Sequence, residues 1–375
     1  MQEQVAVAPC PDYVYSHVIK GVMDALQPLG GMKAFVHKGD RVLIKPNLLI
    51  AKRPDRCVTT NPAVVKAVVH LVRETGGIPA IGDSPAVGGL RRVAAQAGIA
   101  AVAQECDCPL VEFKEVVRVT TGKDYTFRRF ELAKAVLDAD VVINLPKVKT
   151  HSMMLLTLGV KNIFGCVPGM RKAQWHLRAG VDHASFAGML VELCRLVNPA
   201  LTIADGIMGM EGEGPGSGDP RHLGLLVASG NPYALDIAIC RIIGAPMDKV
   251  PTIQAAQQRG FAGADPKQIK VVGHRIKNGE IAPFRLPTRF DAQWNLPGFV
   301  KKSLKHVFVP KPVIKGDLCK VCMACAEVCP PQAISVKDNK INIDHRSCIR
   351  CYCCQEVCPE GAVRLRAGWI ARFSS

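Results

Sequence analysis

Eight cysteines close to the C-terminus are arranged in two copies of one spacing, and no other feature constrains the fold of this chain as strongly. The first copy comprises Cys319, Cys322, Cys325 and Cys329, and the second comprises Cys348, Cys351, Cys354 and Cys358. Each copy reads C-x2-C-x2-C-x3-C-P, so three thiols share one tight loop and the fourth is set apart before a proline. Three thiolates held this closely can bind three irons of one cluster, while the fourth points to a neighbouring cluster.

Bacterial ferredoxins bind [4Fe–4S] clusters with this spacing, and we therefore predict that the segment transfers electrons. If the fourth cysteines cross over, the ligands of the first cluster are Cys319, Cys322, Cys325 and Cys358. The ligands of the second cluster are then Cys348, Cys351, Cys354 and Cys329. Zinc is the alternative, but four tetrahedral ligands satisfy a zinc ion and eight thiolates exceed that number. Cys353 lies between two ligands and is not predicted to be one.

The length of the chain requires more than a ferredoxin. Its 375 residues suit one large domain and one small domain, and 48% of them are hydrophobic, which is enough for a sizeable core. No apolar run is as long as a membrane-spanning helix, and the N-terminal segment lacks a signal pattern. Because the cysteines serve better as cluster ligands than as disulfides, the sequence predicts a cytoplasmic protein of oxygen-poor metabolism.

The formal charge of +16 restricts the partners less than its size suggests. Two clusters with their thiolates would lower it to roughly +12. An acidic surface on a redox partner and an anionic substrate both fit this charge. Nucleic acid is the weakest candidate, because the basic residues are dispersed and aromatic residues make up only 5% of the chain.

Residues 1–275 alternate strand-like and helix-like patterns, which predicts an α/β domain with a mostly parallel sheet and helices on both faces. The predicted strands are 41–44, 78–81, 139–145, 201–204, 222–228 and 269–272. The predicted helices are 62–74 and 182–197, and a hairpin is predicted at 111–130 around residues 121–124.

Residues 276–312 are rich in proline and are predicted to be a linker. Within it, apolar residues at 296–308 recur at helical spacing beside Lys301, Lys302 and Lys305. Such a basic amphipathic helix can lie on an anionic membrane, although packing on its own domain is the favoured interpretation. Residues 313–375 are predicted to form a small α+β, ferredoxin-like two-cluster domain, whose halves repeat at 333–336 and 362–365.

Polar side chains gather where the predicted strands end, which is where open α/β sheets bind ligands. We expect an anion or substrate to be bound by Lys45, Asn47, Asp83, Ser84, Lys147, Lys149, Lys161 and Asn162. Thr157 and Lys172 belong to the same dense polar segment. Candidate groups for proton transfer or for orienting a substrate or metal are His151, His176, Asp205 and Glu211. Taken singly, each lysine also fits a solvated surface and each histidine a structural role.

A glycine-rich segment, residues 206–218, follows the predicted strand at 201–204. Its glycines would let a ligand approach the backbone closely, and a mobile loop is an equal alternative. The spacing matches neither the dinucleotide fingerprint nor the P-loop.

Five motifs carry a resemblance to a known family. They are 45–47 (KPN), 82–85 (GDSP), 144–151 (NLPKVKTH), 161–165 (KNIFG) and 205–215 (DGIMGMEGEGP). Together they resemble the family called domain of unknown function 362, over roughly residues 5–275. The resemblance implies the same domain layout, with a C-terminal pair of ferredoxin clusters, and marks these polar positions as part of the family's pattern. It implies no activity.

Three functions remain open on the sequence alone. The first is a redox enzyme or accessory subunit that relays electrons through two [4Fe–4S] clusters to a site in the α/β domain. The second is an electron carrier whose α/β domain only docks a partner enzyme, and the third, weaker, is a nucleic-acid-binding iron–sulfur protein. Whether the α/β domain holds a further metal or organic cofactor is not determined by these patterns.

Overall fold

The computed structural model describes residues 2–169, 171–179, 182–277, 279–287 and 309–366. The strands are β1 (Glu3–Pro9), β2 (Arg41–Pro46), β3 (Ile78–Asp83), β4 (Leu110–Glu112), β5 (Val116–Thr120), β6 (Arg129–Ala133), β7 (Val141–Leu145), β8 (Lys147–His151), β9 (Leu155–Thr157), β10 (Leu201–Glu211), β11 (Asp219–Ser229), β12 (Ile269–Gly273), β13 (Lys311–Ile314), β14 (Ile334–Lys337), β15 (Lys340–Ile343) and β16 (Val363–Arg366). The helices are α1 (Tyr15–Leu26), α2 (Pro62–Glu74), α3 (Gly89–Gln96), α4 (Ile99–Glu105), α5 (Lys134–Asp138), α6 (Gly159–Asn162), α7 (Arg171–Ala179), α8 (His183–Val197), α9 (Pro232–Ile242), α10 (Pro251–Gln258), α11 (Ala324–Glu327) and α12 (Cys353–Glu356).

One large sheet organises the N-terminal domain, and it confirms the predicted α/β fold. Its strand order is β12-β1-β11-β10-β7-β2-β3-β4, and β8 pairs with both β10 and β9. Most neighbours are parallel, and the antiparallel pairs are β1 with β11, β10 with β11, and β8 with β9. Because β2, β3 and β7 run in the same direction, the polar residues that follow them meet at one edge of the sheet.

Helix α2 shows how the local sequence sets an element that covers this sheet. Asn61 caps its N-terminus by accepting a hydrogen bond from the Ala63 amide at 2.9 Å, and Pro62 occupies the first turn. The helix ends before Gly76, whose φ of +84° favours glycine. Its valines pack against Ile44 and Ile143 on one face of the sheet. Burying each such side chain contributes roughly 1.5–3 kcal/mol.

The opposite face of the sheet is covered by the helices that follow the polar segment. Leu43 and Val142 point to this side, where they share a core with Phe186 and Leu190 of α8. Alternate residues of β2 therefore serve opposite cores, as expected for a central strand buried on both faces. The predicted helices at 62–74 and 182–197 and the hairpin between β5 and β6 are all present.

The first part of the glycine-rich segment is not a mobile loop, because β10 continues to Glu211 and pairs with β11 from Thr202 onward, with an irregularity between Gly206 and Met208. Its glycines relieve crowding. A Cβ at Gly209 would lie 2.8 Å from Cζ of Phe284 and 3.1 Å from the carbonyl oxygen of Val148. A Cβ at Gly214 would lie 2.2 Å from the carbonyl oxygen of Thr150. These glycines are therefore required by close packing within the fold.

The C-terminal domain repeats one small unit. In each half a short helix, α11 or α12, follows the tight cysteine loop, and β13 pairs with β16 while β14 pairs with β15. The residues just before the two helices, Met323 and Tyr352, both have positive φ, at 65° and 61°. The basic amphipathic pattern at 296–308 lies outside the described residues. Within the described ranges, no helix combines the length and apolar character needed to cross a membrane.

A buried ion pair fastens β8 to β10 and to the N-terminal segment. The Lys147 ammonium lies 2.8 Å from Oδ2 of Asp205, and both side chains are almost completely buried. The same carboxylate accepts hydrogen bonds from the Tyr13 hydroxyl at 2.8 Å and the Asn61 amide at 2.9 Å. Each charge is therefore compensated, which is the condition for keeping an ion pair inside a core.

Replacing Asp205 by alanine should destabilise the α/β domain, because it leaves the Lys147 ammonium buried without a counter-charge. We expect a loss of about 3–5 kcal/mol in the free energy of unfolding. Urea denaturation followed by circular dichroism under anaerobic conditions measures this. The control is Asp24→Ala, which breaks the exposed Lys20–Asp24 pair and should change little. Similar small losses in both variants would contradict the assignment.

Candidate functional site

A cavity of about 110 Å³ lies between the sheet edge and the C-terminal domain. The α/β domain lines it with residues at and just after the ends of β2 and β3 and with residues of β8, β9, α6 and α7. These include Lys45, Asn47, Asp83, Ser84, Lys149, His151, Thr157, Lys161, Asn162, Lys172 and His176. The C-terminal domain closes it with Val328, Cys353, Glu356 and Val357. Both domains therefore contribute to the same cavity.

Four lysines converge on this cavity, and burial acts on most of them. Burial lowers the pKa of Lys149 well below its usual value, with a further decrease from the neighbouring Lys161. Burial also lowers the pKa of Lys161, although Glu356 and Cys353 oppose it. The pKa of Lys172 falls to about 8, again because of burial. The protonated amines lack sufficient negative charge around them, and a bound anion would supply it.

The fourth lysine, Lys45, is already paired. Its ammonium lies 2.8 Å from Oδ1 of Asp83, and both side chains are buried. Asp83 also accepts hydrogen bonds from the backbone amides of Leu48 and Ser84. Gly165 lies directly over this pair, since a Cβ there would meet Oδ1 of Asp83 at 2.0 Å. Lys45 and Asp83 thus form a neutral, fixed wall of the cavity.

The Lys161 side chain is placed by a capped helical turn. The carboxyl group of Asp236, in α9, accepts hydrogen bonds from the amides of Gly159 and Val160 at 2.7 and 3.2 Å, which anchors the start of α6. Burial raises the pKa of Asp236 to about 8. No hydrogen bond or ion pair satisfies the Lys161 ammonium among the described residues. Lys161 is therefore the lysine best able to bind a ligand in the cavity.

A histidine–glutamate contact joins the two domains. Nε2 of His151 lies 3.0 Å from Oε1 of Glu356. Nδ1 of His151 accepts hydrogen bonds from the amides of Met153 and Met154, so the ring proton of the neutral imidazole is on Nε2. Burial lowers the pKa of His151 to about 4. Burial alone would raise the pKa of Glu356, but His151 and Lys161 hold it at about 2.

Helix α12 is held tightly against the α/β domain. The Ser152 hydroxyl and Gln355 are 2.7 Å apart, and the Gln355 amide donates to the Glu213 carbonyl at 3.3 Å. Val357 packs in a cluster with Ile50 and neighbouring apolar residues. A Cβ at Gly216 would lie 2.4 Å from the Glu356 carbonyl oxygen, so this glycine permits the close approach.

The cysteine arrangement fits iron–sulfur clusters. A small void of about 20 Å³ is lined by Cys329, Cys348, Cys351 and Cys354, the four residues of the second predicted ligand set. In the other set, burial and the neighbouring Cys358 and Cys322 raise the pKa of Cys325 to about 11. Among the described residues, no three His, Cys, Asp or Glu side chains are grouped tightly enough for a single metal ion. All-thiol donors spread around a void favour an iron–sulfur cluster over zinc.

Family models match both parts of the chain. The model described as "Domain of unknown function (DUF362)" matches residues 42–241, and a "4Fe-4S dicluster domain" matches residues 318–362. This chain belongs to the DUF362 family. The second match makes this DUF362 protein an iron–sulfur protein of the electron-transfer type.

One relative of this DUF362 protein matches it over most of both chains. The thylakoid-associated protein sll1697 of Synechocystis sp. is 42% identical over 313 residues, which cover 82% of this chain and 96% of that protein. Among solved structures, the lactate racemase apoprotein of Thermoanaerobacterium thermosaccharolyticum has a TM-score of 0.42 at 11% identity and covers 65% of this chain. A protein from Thermotoga maritima has a TM-score of 0.35 at 14% identity and covers 54% of this chain. The match spans just over half of each solved structure, 57% and 52%.

Three residues expected at the site lie elsewhere in the DUF362 protein. Lys147 and Asp205 form the buried ion pair that joins β8 to β10, and neither lines the cavity. Glu211 lies at the far end of β10, where it accepts a hydrogen bond from the Arg285 amide at 3.1 Å and lies 3.6 Å from Arg221. Strand β10 carries Glu211 away from the sheet edge because it extends beyond the predicted strand end.

Two groups at the cavity were not predicted from the sequence. Glu356 and Cys353 lie inside the second cysteine run, where the spacing assigns only the ligands. Glu356 becomes a cavity residue only because α12 docks on the α/β domain. The sequence offered one signal, which was an acidic residue within a cluster-binding run of a strongly basic chain. This signal does not show that α12 docks on the α/β domain.

Anion binding to the cavity should weaken as the pH rises. Sulfate is a suitable probe because its charge is constant in this range. Lys172, with a pKa of about 8, attracts sulfate when protonated and loses that charge as the pH passes from about 7 to about 9. Calorimetric titration should show the affinity falling across this window, and Lys172→Gln should bind more weakly at about pH 7 with a flatter pH dependence. A constant affinity in the wild-type protein would contradict the role of Lys172.

Proposed function

We propose that this protein delivers electrons through two [4Fe–4S] clusters to a small anionic molecule held in the cavity between its two domains. The observation that carries the proposal is that four lysines of the sheet edge, two buried and two half-buried, line one cavity with Cys353 and Glu356. These two residues lie one and two positions from the cluster ligand Cys354. Protein residues alone leave the protonated amines short of negative charge, and the two carboxylates of the cavity already have partners.

The exposure of the cysteines supports an order for the two clusters. Among the ligands predicted for the first cluster, Cys322 is exposed and Cys319 is partly exposed. Among those predicted for the second cluster, Cys351 and Cys354 are buried and Cys329 and Cys348 are only partly exposed. Each cluster takes up and passes on single electrons when bound. A donor protein would therefore reach the first cysteine run from solvent, while the second run faces the cavity. Exposed Lys315 and Lys320 beside the first run suit a donor with an acidic surface.

Protons for a reduced ligand would come from the cavity side chains. Lys172 has a pKa of about 8, so its amine is protonated near neutral pH. Because this pKa lies close to neutral pH, the amine can also release its proton. Burial lowers the pKa of His176 to about 3, so its ring is neutral and has one N–H. His151 is neutral as well, and its Nε2 lies 3.0 Å from Oε1 of Glu356. We propose Lys172 and His176 as the proton-transferring groups and His151 as the group that positions Glu356.

The wider setting follows the same proposal. We propose an oxidoreductase that works in the cytoplasm. We also propose oxygen-poor conditions, because solvent can reach the first cysteine run and an exposed low-potential cluster is easily oxidised. Peripheral contact with a membrane is the alternative location, and the thylakoid association of the relative from Synechocystis supports it.

Neutralising Lys161 should lower the midpoint potential of one cluster. Reduction adds negative charge, so removing a nearby positive charge disfavours it by roughly 1 kcal/mol, or about 40 mV for one electron. We expect Lys161→Gln to show this shift in an anaerobic redox titration followed by electron paramagnetic resonance. The matched control is Lys337→Gln, an exposed lysine of β14 whose charge is screened by solvent.

Both variants must retain about eight iron atoms per chain for the comparison to hold. A shift of one potential in Lys161→Gln, with both potentials unchanged in Lys337→Gln, is the expected result. Unchanged potentials in Lys161→Gln would contradict electrical contact between the cavity and a cluster, and would favour a carrier whose α/β domain only docks a partner.

A further inference from the structure

Three asparagines form a hydrogen-bonded chain whose direction is fixed by the backbone. The Asn144 amide donates to the Gly159 carbonyl at 2.9 Å, and that carbonyl can only accept. The Asn144 oxygen therefore accepts from Asn162 at 2.8 Å, and the Asn162 oxygen accepts from Asn47 at 2.8 Å. Each amide nitrogen in the chain is used as a donor.

This hydrogen-bonded series of asparagines ends in an oxygen that accepts no hydrogen bond. Oδ1 of Asn47 is buried and has no hydrogen-bond partner, and Asn47 lines the cavity. Flipping this amide would place its nitrogen there but would also set two oxygens, of Asn47 and Asn162, against each other. The chain therefore presents a fixed acceptor to whatever fills the cavity.

Four further cavity residues have polar atoms without a hydrogen bond. Nε2 of His151 and Oε1 of Glu356 lie 3.0 Å from each other, and the other two atoms belong to Thr157 and His176. The Thr157 side chain is 4% exposed and its hydroxyl has no partner. His176 is 5% exposed, and its Nδ1 has no partner either. A buried polar atom left without a hydrogen bond costs roughly 1–3 kcal/mol, so a ligand that pairs with these atoms gains affinity.

We infer that the molecule bound in the cavity is a small anion that also carries a hydroxyl group, such as a hydroxycarboxylate. This inference rests on the proposed function, because it concerns the same cavity. The lysines take the anionic group, and the Asn47 oxygen accepts the hydroxyl proton. A hydroxyl fits better than an ammonium group, since a second positive charge would face Lys149, Lys161 and Lys172. A cavity of about 110 Å³ suits a molecule of only a few heavy atoms.

Glycolate and acetate are the probes that test this, because they differ by one hydroxyl. Calorimetric titration of the anaerobic, cluster-loaded full chain should show that glycolate binds about tenfold more tightly than acetate. In Asn47→Leu the preference should disappear, with glycolate falling to the affinity of acetate. Iron content and circular dichroism equal to those of the wild type establish that this variant is folded.

A second pair of variants keeps the test independent of Asn47. Thr157→Val should reduce the preference for glycolate. Thr59→Val is the matched control, since Thr59 is equally buried and its hydroxyl also lacks a partner, but it does not line the cavity. Thr59→Val should keep the wild-type preference.

Equal affinities for glycolate and acetate in the wild-type protein would overturn the inference, as would binding of neither acid. An unchanged preference in both Asn47→Leu and Thr157→Val would also overturn it. These outcomes are separate from the proposed function, which depends on the shift of a cluster potential in Lys161→Gln. If Lys161→Gln still shifted a cluster potential while glycolate and acetate bound equally, the proposed anion would stand and only its hydroxyl group would be withdrawn.

Discussion

The burial of lysine amines where two domains meet is the constraint on which the rest of this structure depends. Lys149, Lys161 and Lys172 all lose protons more readily than in water because the sheet edge and the C-terminal domain exclude solvent from them. Glu356 supplies one compensating charge, and its Oε1 lies 3.0 Å from Nε2 of His151. A cluster bound beside Cys354 would add negative charge on the same side. A ligand, the lysines and the second cluster would thus act on one another through a single, poorly solvated space.

The fold keeps its structural charges apart from those of the cavity. Asp205 compensates Lys147 within the sheet and Asp83 compensates Lys45 at the wall, and both pairs are buried with additional hydrogen bonds. The carboxyl group of Asp236 accepts hydrogen bonds at the start of α6 and so positions Lys161. The result is that Lys161 alone among the charges described at the cavity lacks a direct partner. The Lys161 ammonium is therefore positioned before a ligand binds.

The sequence predicted the sheet edge because its signals are local. Asn61 and Pro62 specify the start of α2, and apolar runs at 41–44 and 141–145 specify central strands, so the polar residues that follow them had to meet at one edge. The sequence could not predict that Lys149 lines the cavity and Lys147 does not, because this depends on which residues of β10 pair with β8. The docking of α12 likewise depends on contacts between residues more than a hundred positions apart, such as Ser152 with Gln355. The packing role of Gly209 and Gly214 could not be predicted either, because crowding in a packed structure and freedom in a loop select the same residue.

The most direct test of the account is whether an anion in the cavity lies next to a cluster. Electron–nuclear double resonance of the dithionite-reduced protein with ¹³C-labelled acetate measures this. We predict a ¹³C coupling to a reduced cluster in the wild-type protein, and its loss in both Lys161→Gln and Cys354→Ser. Acetate that binds by calorimetry but shows no coupling would contradict the claim that the cavity and the second cluster form one site.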